Sequence, residues 1–166
     1  SVVAWAKEKF GDRTAPDGST VWQNFTEWFG DSKVVDAEGK PMVVYHGTRG
    51  DFEVFDTSGT KKSLGFLGSM FTADRSYAEN YGRVERGGKV FEVYLRLKNP
   101  LDARIEEDSA VYMKNRNSGE SLVEYAKRSG HDGAITTLDE YVVFEPTQIK
   151  SAIANTGEFS ATDPNM

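Results

Sequence analysis

The chain contains no cysteine, and this absence excludes several kinds of chemistry. Without thiols there is no disulfide, no thiolate nucleophile, and no zinc or iron–sulfur site built on sulfur. Histidine is scarce, because His46 and His131 are the two in the sequence and they do not form an H-x-x-x-H pair. A catalytic metal held by several histidines is therefore not expected, and the predicted site contains no metal.

Long apolar segments and excess positive charge are missing as well. No apolar run approaches the roughly 18 residues that span a bilayer, and the start at Ser1 lacks the basic-then-apolar order of a signal peptide. This start without methionine suggests a domain cut from a longer protein. The formal net charge of −6 disfavours nucleic acid as the main partner, since phosphate binders usually carry a basic face.

What is present favours one globular domain. The 166 residues with 38% hydrophobic and 12% aromatic content are enough for one core. We expect a core over about residues 20–154, an N-terminal extension over 1–19, and a polar surface tail over 155–166.

Hydrophobic periodicity predicts short helices interleaved with short strands. Helices are expected over 21–29, 75–81 and about 120–128, and strands over 41–45, 70–72, 89–97 and 141–144, with a last short element over 148–153. The order is irregular rather than a βαβ array, which indicates an α+β fold with antiparallel strands.

Three segments carry candidate chemistry. In the first, Tyr45-His46-Gly47-Thr48, a β-branched strand stops at a polar turn whose glycine lets a ligand approach the backbone. In the second, Gly68 to Tyr81, a short strand leads into a helix; Tyr77 and Tyr81 share one helix face. Packing is the favoured role for Tyr77, and Tyr81 is open between packing and stacking on a flat ring.

The third segment runs from Asp139 to Pro146. Strand alternation directs Glu140, Val142 and Phe144 to one face and Tyr141, Val143 and Glu145 to the other. Taken alone, Glu140 is better explained as a solvated carboxylate at a sheet edge. Glu145 is expected to cap a turn or to lie on the surface, Asp139 to be structural, and His131 to be a turn histidine.

Together the three segments resemble the ADP-ribosyltransferase superfamily, on the diphtheria-toxin and poly(ADP-ribose) polymerase side. That side has a His-Tyr-Glu triad on three separate segments, which His46, Tyr81 and Glu140 match in order and spacing. The stretch from about 20 to 160 is similar to the ADP-ribosyltransferase domain of phage polyvalent proteins and phage-associated toxins. Met70 departs from the pattern, because an aromatic residue usually stands there.

The resemblance implies two packed, mainly antiparallel sheets that form a split NAD-binding cleft, with short flanking helices. It implies that Glu140, His46 and Tyr81 are catalytic. The implied NAD-binding residues are His46, Gly47, Thr48, Met70, Phe71, Tyr81 and Glu140. NAD is the implied substrate, and Arg49, Lys61 and Lys62 are candidates to neutralise its pyrophosphate.

The implied activity is mono-ADP-ribosyl transfer to a macromolecular target, with protein favoured over nucleic acid, by a phage or bacterial toxin or effector. An immunity protein as a further partner and a cytosolic site of action, with delivery inside a larger phage or secreted protein, are compatible with this. Three alternatives stay open: an NAD glycohydrolase, a non-catalytic module that binds NAD or ADP-ribose, and an interaction domain without a ligand. The sequence Leu138-Asp139-Glu140 lacks the Glu-x-Glu of arginine-modifying relatives, which disfavours arginine as the acceptor.

Overall fold

A computed structural model describes residues 1–48 and 69–166 of the chain. In these ranges the chain forms a mixture of helices and strands, which confirms the α+β class. The helices are α1 (Val2–Phe10), α2 (Val21–Phe29), α3 (Arg75–Gly82), α4 (Glu106–Asn115) and α5 (Leu122–Arg128). The strands are β1 (Val44–Thr48), β2 (Ser69–Thr72), β3 (Lys89–Leu95), β4 (Pro100–Asp102), β5 (Gly133–Ile135), β6 (Glu140–Val143) and β7 (Ile149–Ser151).

The described strands join in the order β4-β5-β6-β2-β1-β3-β7. Each neighbouring pair is antiparallel except β4 and β5, which are parallel. Instead of two separate sheets, hydrogen bonding gives one sheet, but its middle is weak. Strands β2 and β1 share a single register pair, Tyr45 with Thr72. This pair divides the sheet into a half with β4, β5, β6 and β2 and a half with β1, β3 and β7.

One face of the sheet forms a core cluster with segments that connect the helices and strands. A core cluster takes side chains from both halves, including Val44 and Val93 from one half and Phe71 and Val143 from the other. No residue of a described helix belongs to this cluster. The cluster therefore joins the two halves on one face of the continuous sheet, together with Val34 and Leu97 from connecting segments.

Helices cover the other face. Helices α1 and α2 pack together around Phe25, which touches the rings of Trp5, Phe10 and Tyr94. The amphipathic spacing of α2, with Phe25 and Phe29 buried, explains why its helical prediction is confirmed. Helix α3 packs on β1, and α5 packs on β4 and β5.

Both chain ends carry buried side chains that anchor them to the core. The N-terminal extension contains α1, whose Phe10 is buried in the aromatic cluster. The tail after residue 154 is not simply a surface segment, since Phe159 is 6% exposed and packs in the same cluster. The buried Lys150 ammonium group donates hydrogen bonds to the main-chain carbonyls of Asp163 at 2.6 Å and Asn165 at 2.8 Å.

Strand β1 is displaced from its predicted position. It begins at Val44 rather than at residue 41, and it continues to Thr48 instead of stopping in a turn at His46. Pairing with β3 holds this extension, because the register continues to the Thr48–Lys89 pair. No helix in the described ranges is long and apolar enough to cross a membrane.

Candidate active site

The sheet opens between β1 and β2. Beyond the Tyr45–Thr72 pair, an antiparallel register would bring Gly47 opposite Met70, but no such pair forms among the described strands. On its other edge, β1 remains paired with β3 as far as Thr48. The two strands therefore separate after Tyr45, and a gap forms in the plane of the sheet.

The backbone of Gly47 faces this gap. On β3, the Glu92 carbonyl accepts the Ala152 amide at 2.8 Å, so the polar groups of Glu92 point towards β7 and away from β1. Tyr45, opposite Glu92, then belongs to a non-hydrogen-bonded pair, and its own N–H and C=O point towards β2. Gly47 lies two residues further along the strand, so its N–H and C=O also point towards β2.

His46 takes the hydrogen bond that would otherwise close the gap. Its Nδ1 lies 2.7 Å from the Met70 carbonyl oxygen. A carbonyl cannot donate, so Nδ1 carries the proton, and in the neutral imidazole Nε2 is then an acceptor. The imidazole therefore forms a hydrogen bond with the Met70 carbonyl. If the ladder between β1 and β2 continued, this carbonyl would instead pair with Gly47.

Phe71 lies beneath the His46 ring. Their ring centroids are 5.3 Å apart, and Phe71 is 1% exposed within the core cluster. The implied contact of Phe71 with NAD stays a prediction, and in this structure its ring packs against the imidazole and the core. Its position suits it to hold the imidazole in place.

Gly47 also has a packing reason to be glycine. A Cβ built on it would lie 1.8 Å from the Ala78 carbonyl oxygen and 2.7 Å from the Gly82 amide nitrogen, both in α3. Gly82 and Gly88 are equally constrained, since a Cβ on Gly88 would lie 1.7 Å from the Gly82 carbonyl oxygen. These glycines let α3 lie directly on the strand at the gap.

The tyrosines of α3 point outward from this contact. Ala78 and Gly82 are the buried residues of the helix, whereas Tyr77 is 52% and Tyr81 55% exposed. The packing role favoured for Tyr77 is therefore wrong. Both rings stand on a helix that lies against Gly47, with their faces accessible.

Glu140 begins β6 on a tight hairpin. Its carboxylate accepts a hydrogen bond from the Thr136 hydroxyl at 3.3 Å, and the same hydroxyl oxygen accepts the Glu140 amide at 3.2 Å. The Thr136 amide donates to the Glu140 carbonyl at 2.9 Å. These three bonds fix the strand start and orient the carboxylate.

Arg104, in the turn that follows β4, supports this hairpin. Its guanidinium donates two bonds of 2.9 Å to Asp102 and one of 2.9 Å to Asp139. Asp139 has φ 58°, a left-handed conformation that aspartate tolerates better than most residues. The two carboxylates raise the pKa of Arg104, while burial opposes the rise. The structural role expected for Asp139 is confirmed, whereas sequence reasoning missed Arg104 and Thr136.

Strand register decides which site residues share a face. Tyr45, Thr72 and Glu140 form one row across three strands, so Gly47, Met70 and Glu140 belong to the same face. Helix α3 lies on this face, because the missing Cβ of Gly47 points at it. His46 and Thr48 leave β1 on the opposite face, although the His46 ring returns to the strand plane through its bond to Met70.

Several other expectations have structural outcomes. The Glu145 side chain caps the short 3-10 helix Pro146–Gln148, as expected. His131 lies in the turn before β5, with Nδ1 3.2 Å from the Asn99 carbonyl oxygen, which confirms the turn role. Among the described residues no cluster of three or more His, Asp or Glu is arranged to hold a metal ion. The candidate pyrophosphate residues Arg49, Lys61 and Lys62 lie outside the described ranges.

Comparison with known families shows the family of the chain. A family model described as ADP-ribosyltransferase in polyvalent proteins matches residues 36–159. This span is most of the chain and contains His46, Gly47, Tyr81 and Glu140. The chain therefore belongs to this ADP-ribosyltransferase family, and the resemblance seen in the motifs is confirmed. ADP-ribosyltransferases use NAD as their substrate. No curated protein and no solved structure matches the chain.

Proposed function

We propose that this chain is a mono-ADP-ribosyltransferase, which cleaves NAD between nicotinamide and ribose and transfers ADP-ribose to a macromolecular target. The observation that carries the proposal is the gap between β1 and β2. It holds an unpaired main-chain N–H and C=O at Gly47, in the described part of the sheet, beside a fixed imidazole.

The Gly47 backbone suits a carboxamide. An amide group offers one donor side and one acceptor side, and a strand-edge N–H and C=O meet both with paired hydrogen bonds. Nicotinamide bound there would lie on the face covered by α3. Tyr81 would stack on one side of the ring, and Met70 would press on the other through its polarisable sulfur.

His46 and Thr48 are assigned to the adenosine half of NAD. With Nδ1 committed to the Met70 carbonyl, the neutral His46 ring presents Nε2 as an acceptor for a ribose hydroxyl. Thr48, on the same face of β1, would support that hydroxyl. The hydrogen bond to Met70 thus fixes the tautomer, and in it Nε2 would accept the proton of the ribose hydroxyl.

Glu140 is assigned to the bond-breaking step. The glycosidic nitrogen of NAD is already cationic, so nicotinamide leaves without needing a proton, and positive charge develops on the ribose. A carboxylate held by Thr136 beneath that ribose stabilises the charge and accepts a hydrogen bond from its 2′-hydroxyl. The hairpin holds this charge in place before the reaction, which is what makes such stabilisation effective.

Two features of the sequence bear on the acceptor of ADP-ribose. The absence of a Glu-x-Glu at Leu138-Asp139-Glu140 disfavours an arginine acceptor, and the net charge of −6 favours protein over nucleic acid. We place the reaction in a bacterial or host cytosol, as the activity of a phage or bacterial toxin or effector. An immunity protein would be a natural partner of such an activity.

The test uses NAD labelled in the adenosine half, incubated with the protein and a bacterial lysate. The wild type should release nicotinamide and place label in macromolecules, and protease and nuclease digestion then identify the acceptor class. Glu140→Gln should lower turnover by on the order of a hundred-fold or more without loss of fold. Glu145→Gln, which alters a turn-capping carboxylate, should retain activity as the matched control.

Each alternative has its own signature in this assay. Release of free ADP-ribose without labelled macromolecules would indicate an NAD glycohydrolase and refute the transferase assignment. NAD binding without nicotinamide release would indicate a binding module. Equal loss of activity in Glu140→Gln and Glu145→Gln would remove Glu140 from its assigned role.

A further inference from the structure

A cavity of about 320 Å³ lies at the far end of β6 from Glu140. Its lining includes Arg96, Lys127, Asp132 and Glu145. Glu145 follows Glu140 by five residues, which is about 17 Å along an extended strand. The volume is within the range of small-molecule sites, about 300–1,000 Å³. This cavity therefore lies apart from the proposed NAD site.

The carboxylates of the cavity are already used by the protein. The two Asp132 oxygens accept the main-chain amides of Lys98 at 2.7 Å and Asn99 at 3.0 Å. The Glu145 side chain accepts the amide of Gln148 in a capping box. Both groups therefore have structural hydrogen-bonding duties, and their negative charge is partly offset by these amides.

The cationic side chains of the cavity form no ion pairs within the described ranges. Arg96 is half-buried, and its guanidinium makes no hydrogen bond or ion pair with any residue in 1–48 or 69–166. Burial lowers the pKa of Arg96, and the nearby charge of Asp132 opposes that effect. Lys127, on α5, likewise forms no ion pair within the described ranges, and its Nζ lies 5.6 Å above the Phe144 ring.

A partly desolvated guanidinium without an acceptor is costly to maintain, since all five of its donors lack protein partners among the residues described. The backbone of Arg96 is nevertheless fixed, because its amide donates to the Gln148 carbonyl at 2.9 Å and its carbonyl accepts the Gln148 side-chain amide at 2.9 Å. The side chain is thus anchored at its base and presents an unused planar fork to a cavity. A planar fork of this kind fits a phosphate or carboxylate with two parallel bonds.

We infer that this cavity is a second ligand site, which binds a phosphate-type oxyanion through the Arg96 fork with Lys127 as the supporting charge. The oxyanion is either free inorganic phosphate or the terminal phosphate of a small phosphomonoester. The Phe144 ring and the aliphatic stem of Lys127 give the cavity an apolar wall against which an organic portion would pack.

The test is a titration followed by ¹H–¹⁵N nuclear magnetic resonance at constant ionic strength, with sodium phosphate in one series and ribose 5-phosphate in another. The wild type should show saturable shifts at the Arg96 side chain and at the Asp132 and Gln148 amides. Arg96→Gln should weaken binding at least tenfold, and Lys127→Gln should weaken it by a smaller factor. Arg13→Gln, which removes an exposed arginine outside the cavity, should bind as the wild type does.

The two series distinguish the sources of the oxyanion. Tighter binding of ribose 5-phosphate would assign the site to a phosphomonoester, whereas equal or weaker binding would assign it to the free ion, and both results support the site. Shifts that stay linear in ligand concentration, or that are the same in Arg96→Gln and Arg13→Gln, would overturn it. Because Lys127 is exposed on α5, its variant provides a folded test if Arg96→Gln loses stability.

Discussion

The contact between Gly47 and α3 makes a demanding prediction for the substitution Gly47→Ala. The added Cβ would lie 1.8 Å from the Ala78 carbonyl oxygen and 2.7 Å from the Gly82 amide nitrogen. Carbon and oxygen atoms in contact are normally more than about 3 Å apart, so α3 must move by more than about 1 Å. The obstructing atoms belong to the backbone and have no alternative rotamer.

The expected cost is at the upper end of the range for overpacked sites, about 3 kcal/mol or more. Part of this cost falls on the site, because α3 carries Tyr81 and would be pushed away from β1. Urea unfolding measured by fluorescence gives the free energy of unfolding, with an unchanged slope showing that the denatured state is unaffected.

Gly119→Ala is the matched control. Gly119 has φ +75°, and nothing lies within 4 Å of the position that an added Cβ would take, so alanine there is strained but not obstructed. Its expected cost is about 1–2 kcal/mol. If Gly47→Ala cost no more than Gly119→Ala, the direct packing of α3 on the strand would be refuted.

Two further predictions concern the hairpin and the core. Arg104→Lys keeps the charge but loses the planar guanidinium that bonds to Asp102 and Asp139. The value of kcat should therefore fall about tenfold or more, with little change in KM for NAD. Steady-state kinetics measures both constants, and a change in KM alone would contradict this prediction. Burial raises the pKa of Tyr94 to about 12 from an ordinary 10.0, and Tyr94 is 1% exposed. Because the folded-state pKa is the higher one, the contribution of Tyr94 to stability is fully present below about pH 10 and is lost as the pH rises towards about 12, by about 1–3 kcal/mol. Urea unfolding of the wild type and Tyr94→Phe between about pH 9 and 12 should show that the free energy of unfolding falls more steeply with pH in the wild type. Parallel curves for the two proteins would argue against this role of Tyr94.

Sequence reasoning succeeded where the local pattern matched the tertiary role. Helix α3 was predicted over 75–81 and runs from Arg75 to Gly82, and the Asp74 side chain caps its start by accepting the Tyr77 amide at 3.2 Å. The alternation of β6 was also predictive. Val142 and Phe144 pack in one cluster, and Tyr141 and Val143 in another.

The failures have physical causes that a single sequence does not reveal. Helix α4 has no buried residue, so it carries no apolar periodicity to detect. The tail packs through Phe159 within a polar segment, and a single aromatic residue is a weak signal.

Within the proposed site, the motif order pointed to His46, Gly47 and Glu140, whose roles stay predictions, and the supporting contacts come from far along the chain. Arg104 reaches Asp139 across 35 residues, and no spacing rule connects them. The reason for glycine at position 47 was likewise incomplete, because the contact with α3 is visible in three dimensions and not in the motif.

The bond between His46 and the Met70 carbonyl has a consequence for the energetics of substrate capture. Separating two paired strands would normally sacrifice ladder hydrogen bonds, and a dinucleotide entering between them would have to compensate for that loss. Here the His46 side chain already forms a hydrogen bond with the Met70 carbonyl, so the gap between β1 and β2 exists before any ligand enters. In the proposed site, the reorganisation cost would thus be met during folding, and more of the intrinsic affinity would be left to hold NAD.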